Sequence, residues 1–227
     1  MLYFNGTRKP DYKNTGRIDY TTYWQQRGVS INKKLKEREF IMARLIPKGS
    51  SVYDISCGSS RLPLVLKEAD CKVTVSDVSP LILEEQKKHG ISTSILDLNC
   101  ISEKEINAQY DFIILSEVLE HLTNPEEVIR TFSPHTTRFI VTIPNSAFYR
   151  YRIHLFFFGR FFTQWAVHPS EHVRYWSHRD FKDWLGDMDV VLEHAEASNG
   201  LSLFGMPLYR WWPNLFGHQI LYVCRTK

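Results

Sequence analysis

Residues 52–61, VYDISCGSSR, decide the fold of this 227-residue chain. Val52 to Ser56 reads as a short buried strand. Cys57 to Ser60 is a turn of small residues, and a helix begins near Arg61. Small side chains let a ligand approach the backbone, and the first N–H groups of a helix point outward at it. Alone such a turn is a weak signal, and its meaning depends on the residues placed at fixed distances beyond it.

Outward from it, apolar strand patterns recur at Lys72–Ser76, Ser92–Leu96, Asp111–Leu115 and Arg138–Ile143. Helical patterns lie between them at Arg61–Ala69, Pro80–His89, a short stretch near Glu103–Ala108, and Asn124–Phe132. Ser79-Pro80 and Asn124-Pro125-Glu126-Glu127 read as N-caps followed by proline, the second with a capping-box glutamate. Short apolar strands alternating with helices imply an α/β fold with a doubly wound parallel sheet. Before the first strand, Asp19–Arg27 carries an aromatic stripe and Ile31–Leu45 reads as a charged amphipathic helix. After Asn145 the stretch to Trp165 is aromatic and basic with no clean strand. A helix capped by Ser177 comes next at His178–Leu185, then strands at Val190–Ala197 and Gln219–Cys224. We expect residues 1–17 to be a flexible arm. Residues 18–227 form one domain, with lid helices over 18–46, a cap insertion over 146–176 and another at 201–216.

A net charge of +3 is too small to argue for nucleic acid. The four cysteines, Cys57, Cys71, Cys100 and Cys224, lack paired metal spacing and suit reduced buried thiols in a cytoplasmic protein. The polar N-terminus has no secretory h-region, and no apolar run reaches transmembrane length.

A doubly wound sheet binds ligand at the carboxyl ends of its strands, where strand order reverses. Each expected strand end carries a suitable group. Asp54 precedes the Ser56–Ser60 turn. Asp77 ends the second strand, about twenty residues after the turn, where a carboxylate suits ribose hydroxyls. Asp97-Leu98 ends the third and Ser116-Glu117 the fourth. A dinucleotide would need G-x-G-x-x-G, of which only Gly58 remains. Asp54 would repel pyrophosphate but attract an ammonium. S-adenosylmethionine is the better fit.

VYDISCGSSR, SDVSP, LDLN, SEVLEHL and VTIPNS, over about residues 50–145, resemble the successive motifs of class I S-adenosylmethionine-dependent methyltransferases. PNSAFYRYRIHLFFFGRFF and WPNLFGHQILYV resemble the MetW-type, methyltransferase-domain-23-like branch, which is linked to methionine biosynthesis. The resemblance implies a Rossmann-like, seven-stranded, mostly parallel sheet with an antiparallel C-terminal strand and helices on both faces. It assigns Asp54, Ser56 and Gly58 to the methionine end, Asp77 to the ribose, and Val78, Asp97 and Leu98 to the adenine. Ser116 and Glu117 would line the floor, with Tyr23, Trp24 and Arg27 on a lid helix. Where the family turn is usually G-x-G-x-G, this chain has Ser56, Gly58 and Ser60, and serine disfavours φ > 0. Conversely, EVLEHL carries two glutamates and a histidine that the MetW type usually lacks, which favours an active enzyme.

For a hydroxyl acceptor, His121 is the first candidate base and His172 the second, beside Glu117. A helix-entry histidine satisfied by a carbonyl is the competing reading. Glu117, Glu120, His121 and His172 also match, in type and spacing, the metal ligands of small-RNA terminal 2′-O-methyltransferases, and EHVRYWSHRDF resembles that family's histidine segment. Two carboxylates and two imidazoles suit Mg²⁺ or Mn²⁺.

Arg150, Arg152 and Arg160 interleave with Tyr149, Tyr151 and Phe156–Phe158. They suit an anionic or sugar-nucleotide-like acceptor or a peripheral membrane contact. A cap helix that turns these aromatics onto the sheet and the arginines to solvent accounts for most of these residues. Trp211-Trp212 reads as packing or a homodimer contact. Three functions fit: methyl transfer to a small molecule or glycan precursor, on oxygen; a MetW-type non-catalytic partner in methionine biosynthesis; and a metal-dependent RNA-end methyltransferase. The modest charge disfavours stable nucleic-acid binding.

Overall fold

The central strands are buried on both faces, so their sequences are nearly continuous apolar runs, while the two edge strands are largely exposed. The structure, a computed structural model, describes residues 18–101, 108–159, 161–162 and 171–227. The expected arm at 1–17, residues 102–107 of the short helical stretch, and Arg160 lie outside them.

Seven strands form one sheet: β1 (Ser51–Ile55), β2 (Lys72–Asp77), β3 (Ser92–Ile95), β4 (Tyr110–Ser116), β5 (Thr136–Pro144), β6 (Val190–Gly200) and a C-terminal strand, Gly217–Thr226. A two-stranded hairpin, β7 (Ser202–Leu203) and β8 (Met206–Pro207), precedes that last strand, which is therefore β9. Sheet order is β3-β2-β1-β4-β5-β9-β6, parallel except where β9 runs antiparallel to β5 and β6. The expected Rossmann-like architecture with an antiparallel C-terminal strand is therefore present. Strand order reverses between β1 and β4, and the chain's chemistry-bearing residues gather there.

Side chains alternate along each strand. On one face Val52, Val75, Ile114 and Ile140 meet α2 (Glu37–Leu45), α3 (Leu62–Glu68) and α4 (Pro80–Lys88). On the other, Ile113, Leu115, Val141 and Tyr222 meet α5 (Pro125–Phe132) and α7 (His178–Gly186). α1 (Tyr20–Arg27) lies over the carboxyl edge, where its Trp24 ring sits against Gly58. α6 (Tyr149–Phe158), α8 (Leu208–Trp211) and α9 (Pro213–Phe216) complete the elements.

Four local expectations need correction. The helix expected from Ile31 starts at Glu37, because residues before it are held by the small-residue turn. Asn32 N–H donates to Ser59 O at 2.9 Å, and Lys36 N–H is capped by the Glu39 carboxylate at 2.9 Å. Ser79 does not cap α4 through its hydroxyl, since its own N–H is taken by Asp77 at 2.9 Å. Asn124 likewise donates its amide to Glu127 at 2.9 Å instead of accepting from the backbone. The Ser177 capping box, by contrast, forms as expected.

The fourth correction is at α6. Phe148, Tyr151 and His154 turn inward, but Phe156, Phe157 and Phe158 stand in solvent, as do Trp211 and Trp212. These aromatics do not cover the sheet. Cys57, Cys71 and Cys224 are buried free thiols as expected, while Cys100 is exposed. No helix among the described residues is long and apolar enough to cross a membrane.

Candidate functional site: one cleft at the carboxyl edge

A cleft of about 1100 Å³ opens along the carboxyl edge of β1, β2, β3 and β4. Every site residue expected from the sequence lines it: Asp54, Ser56, Gly58, Asp77, Val78, Asp97, Leu98, Ser116, Glu117, Glu120, His121 and His172. The expected lid residues Tyr23, Trp24 and Arg27 line it too.

The turn after β1 bends through positive φ at Ser56 (58°) and Gly58 (49°), whereas Ser60 keeps an ordinary backbone. The serine-for-glycine question thus divides. Ser56 holds a left-handed conformation that costs an L-residue about 1–2 kcal/mol. Ser60 instead does what serine does well: its Oγ accepts from Leu62 N–H at 3.1 Å, closing the start of α3, and donates to Glu39 at 3.1 Å. Gly58 needs its missing side chain, since a Cβ would stand 3.1 Å from the Trp24 ring.

Asp77 ties the turn to the next helix. One carboxylate oxygen accepts from Gly58 N–H at 3.0 Å and the other from Ser79 N–H at 2.9 Å. Burial raises its pKa, and those two N–H groups pull it back. Asp97 accepts from Asn99 N–H at 2.9 Å. Asp54 differs. It is 3% exposed, and no group among the described residues hydrogen-bonds its carboxylate. Burial, with Glu39 and Asp77 adding like charge, pushes its pKa up to about 8. Three buried carboxylates with one unsatisfied form a cation-seeking wall.

Glu39, one of the three, escaped the sequence reading, as did its neighbour Arg38. Their only signal was an unusually charged helix lying directly before the first strand. Arg38 reaches Ser116 Oγ at 3.3 Å and Gln219 Oε1 at 3.2 Å. Gln219 in turn donates to Glu117 at 2.6 Å, and Asn199 donates to Gln219 at 2.7 Å. Glu117 is held at φ 55°, a second left-handed residue at the end of a central strand, and such strain clusters at functional sites. Gln219 was signalled only as a polar residue opening an apolar strand.

Farther along, a short 3-10 helix, Leu119–His121, carries Glu120 and His121. The segment after Glu171 clamps onto it: Val173 and Arg174 N–H donate to Glu120 O at 2.9 and 3.1 Å, and Arg174 reaches Thr123 O at 2.7 Å. This clamp brings His172 edge-to-face against His121, ring centres 4.7 Å apart. Ligand atoms of Glu120, His121 and His172 all lie within 4.8 Å of one another. Glu120 is 1% exposed, and among the described residues neither of its oxygens has a hydrogen-bond partner; His121 Nε2 stands 3.9 Å from one of them. Burial first, and Glu117 second, drive its pKa well up, while burial lowers His121 and takes His172 to about 3. Glu117, the fourth residue of the expected metal set, stays outside this cluster on Gln219.

The far end of the cleft is aromatic and basic. Phe148, Arg150, Tyr151, Phe162 and His218 line it, and Tyr151 OH lies 2.8 Å from His218 Nε2. Arg152 faces away and donates to the carbonyls of Ala147 and Asn214.

Comparison with known proteins bears on the fold and the family. A magnesium protoporphyrin IX methyltransferase from Synechocystis, solved with bound SAH, superposes with a TM-score of 0.59 at 16% identity. It covers 91% of this chain and 95% of its own, a likeness of fold. A ubiquinone biosynthesis O-methyltransferase of Xanthomonas axonopodis is 28% identical over 40% of this chain and 41% of its own. The bifunctional methionine biosynthesis protein MetXA/MetW of Rhodopirellula baltica is 26% identical over 66% of this chain. That match spans only 26% of the relative's length. The family described as methionine biosynthesis protein MetW matches residues 36–224, from the residue that caps α2 into the last strand, so the chain belongs to the MetW family.

Proposed function

We propose that this chain binds S-adenosylmethionine and transfers its methyl group to a hydroxyl of a small acceptor. The observation that carries this reading is the buried, unpartnered Asp54 carboxylate, set between Glu39 and Asp77 beside the Ser56–Gly58 turn. Such a wall suits the cationic methionine end and opposes a pyrophosphate. Asp77 suits the ribose, since each carboxylate oxygen keeps a second lone pair beyond the backbone N–H it accepts. Asp97 and Leu98 suit the adenine edge and Val78 its face. When bound, the cofactor supplies an electrophilic methyl on a sulfonium. Tyr23, Trp24 and Arg27 on α1 cover the cleft and exclude water, and α6 with His218 shapes the acceptor end. Burial keeps His121 neutral near pH 7, so it can accept the acceptor's proton. Calorimetry with S-adenosylmethionine tests this reading: binding is expected, and no heat at millimolar ligand would sink it.

The trio Glu120, His121 and His172 supports a further element, a divalent cation at the floor of the acceptor end. An orphaned buried carboxylate beside two neutral imidazoles is a donor set suited to Mn²⁺ or Zn²⁺. Here the cation would hold the acceptor oxygen. Mn²⁺ titration followed by electron paramagnetic resonance should show one bound ion, lost in His172→Ala; unchanged free Mn²⁺ in the intact chain removes this element.

Family membership supports a second reading, a MetW-type partner subunit with no turnover of its own. Cofactor binding without methyl transfer to any hydroxyl acceptor would favour it.

A further inference from the structure

We infer that the outer side of α6, with the β7–β8 hairpin and α8, docks this protein on an anionic lipid surface. Methyl transfer makes no use of that side. Ile153, Leu155, Phe156, Phe157 and Phe158 stand in solvent, Phe156 at 81%, and Phe161 lies just beyond the helix. The hairpin presents Leu203, Phe204 and Met206, and α8 ends in Trp211 with Trp212 just beyond it.

Phe204 is the most telling of these. It is 91% exposed at the tip of a two-residue connection, at φ 49°, followed by Gly205 at φ 78°. Both signs positive describe a type I′ turn, whose first central position favours asparagine, aspartate or glycine. A bulky aromatic there is strained and gains almost no burial.

These elements leave the sheet at one edge, that of the cleft. Asn145 N–H donates to His218 O at 2.9 Å, and Gly200 pairs with Gly217. α9 links them: Tyr149 of α6 meets Phe216 at 5.9 Å, and Arg152 donates to Asn214 O at 3.2 Å.

Charge selects the occupant. The chain has 25 aspartates and glutamates, yet none falls between Asn145 and Ser170 or between Gly200 and Lys227. Arginines 152 and 210, neither of which lines the cleft, lie within these stretches. Protruding aromatic tips flanked by arginine and free of carboxylate suit insertion among acyl chains under anionic headgroups.

The test is flotation of the full chain with vesicles of phosphatidylcholine alone and of phosphatidylcholine with phosphatidylglycerol. Association with the anionic vesicles is expected, weaker with neutral ones and at high salt. Phe204→Ser, and Phe156→Ser with Phe157→Ser, should each weaken it about tenfold through lost apolar burial. None of these three lines the cleft, so S-adenosylmethionine binding should not change, and vesicle association does not depend on the methyl-transfer reading. No association with anionic vesicles overturns the proposal, as does association that both variants leave intact. Self-association in solution that the same substitutions abolish would also overturn it, assigning the face to a second copy.

Discussion

The two ends of the cleft are built from opposite chemistry. At the β1–β2 end, Glu39, Asp54 and Asp77 are buried carboxylates held by backbone N–H groups or left waiting for a cation. At the α6 end, Arg150, Tyr151, Phe162 and His218 present rings and positive charge. Between them lie two neutral imidazoles and an orphaned carboxylate. The first end has Asp54 and Asp77 on strands, where parallel pairing fixes them to the sheet, and Glu39 on α2, which packs against it. The second has Arg150 and Tyr151 on α6 and Phe162 beyond it, outside the sheet, and only His218 on a strand, at the start of β9. Rigid ends suit a cofactor that does not vary. Connections outside the sheet are where acceptor specificity can differ among proteins of one fold.

The sharpest way to break this division is at Asp77. Asp77→Ala removes the ribose acceptor and frees the N–H groups of Gly58 and Ser79, so calorimetry should show cofactor affinity falling about a hundredfold. His121→Ala should change cofactor affinity far less while lowering turnover. The reverse order would place the cofactor at the other end.

Asp54→Asn comes next, with affinity expected to fall about tenfold and a distinct signature in pH. The Asp54 carboxyl holds its proton up to about pH 8 when folded, against an ordinary value of 3.8 when unfolded. The folded chain therefore binds the extra proton between those values, and ligand-free stability declines as pH rises from about 4 through 8. Melting scans should show this slope reduced in the variant, which should melt above the parent chain beyond pH 8. Cofactor affinity of the parent should rise over the same window, because the cation favours the ionised carboxylate.

Gln219→Leu tests the link between the ends. It unpairs one Glu117 oxygen and one arm of Arg38, leaving buried charge less satisfied, so a loss of about 1–3 kcal/mol in denaturant unfolding is expected. The smallest effect belongs to Ser56→Gly. Relief of left-handed strain is largely offset by the freedom glycine gains when unfolded, so stability should shift by less than about 1 kcal/mol, with cofactor binding kept.

The β1–β2 end was legible because its residues are close in sequence to strand ends that periodicity locates. Asp54, Asp77, Asp97 and Ser116 each lie at or beside the end of an apolar run, and the sheet brings those run ends to one edge. His121 was legible as a candidate, and His172 through its resemblance to a histidine segment. Their contact depends on two N–H groups of Val173 and Arg174 meeting one carbonyl of Glu120, which no local pattern announces. Arg38 and Gln219 lie 181 residues apart and meet only through the sheet's long-range order. The start of α2 was misread for the same reason: Asn32 bonds to the Ser59 turn and not to its own helix.

Periodicity and turn chemistry in the sequence by itself determined the alternating strands and helices, the small-residue turn and the carboxylates at the strand ends, because those depend on neighbours a few residues apart. Tertiary structure alone decided that Asp54 is left without a hydrogen-bond partner among the described residues, that Glu120 meets two histidines, and that the phenylalanines of α6 face outward. Burial and unmet hydrogen bonds are properties of what surrounds a group, and its surroundings come from distant parts of the chain.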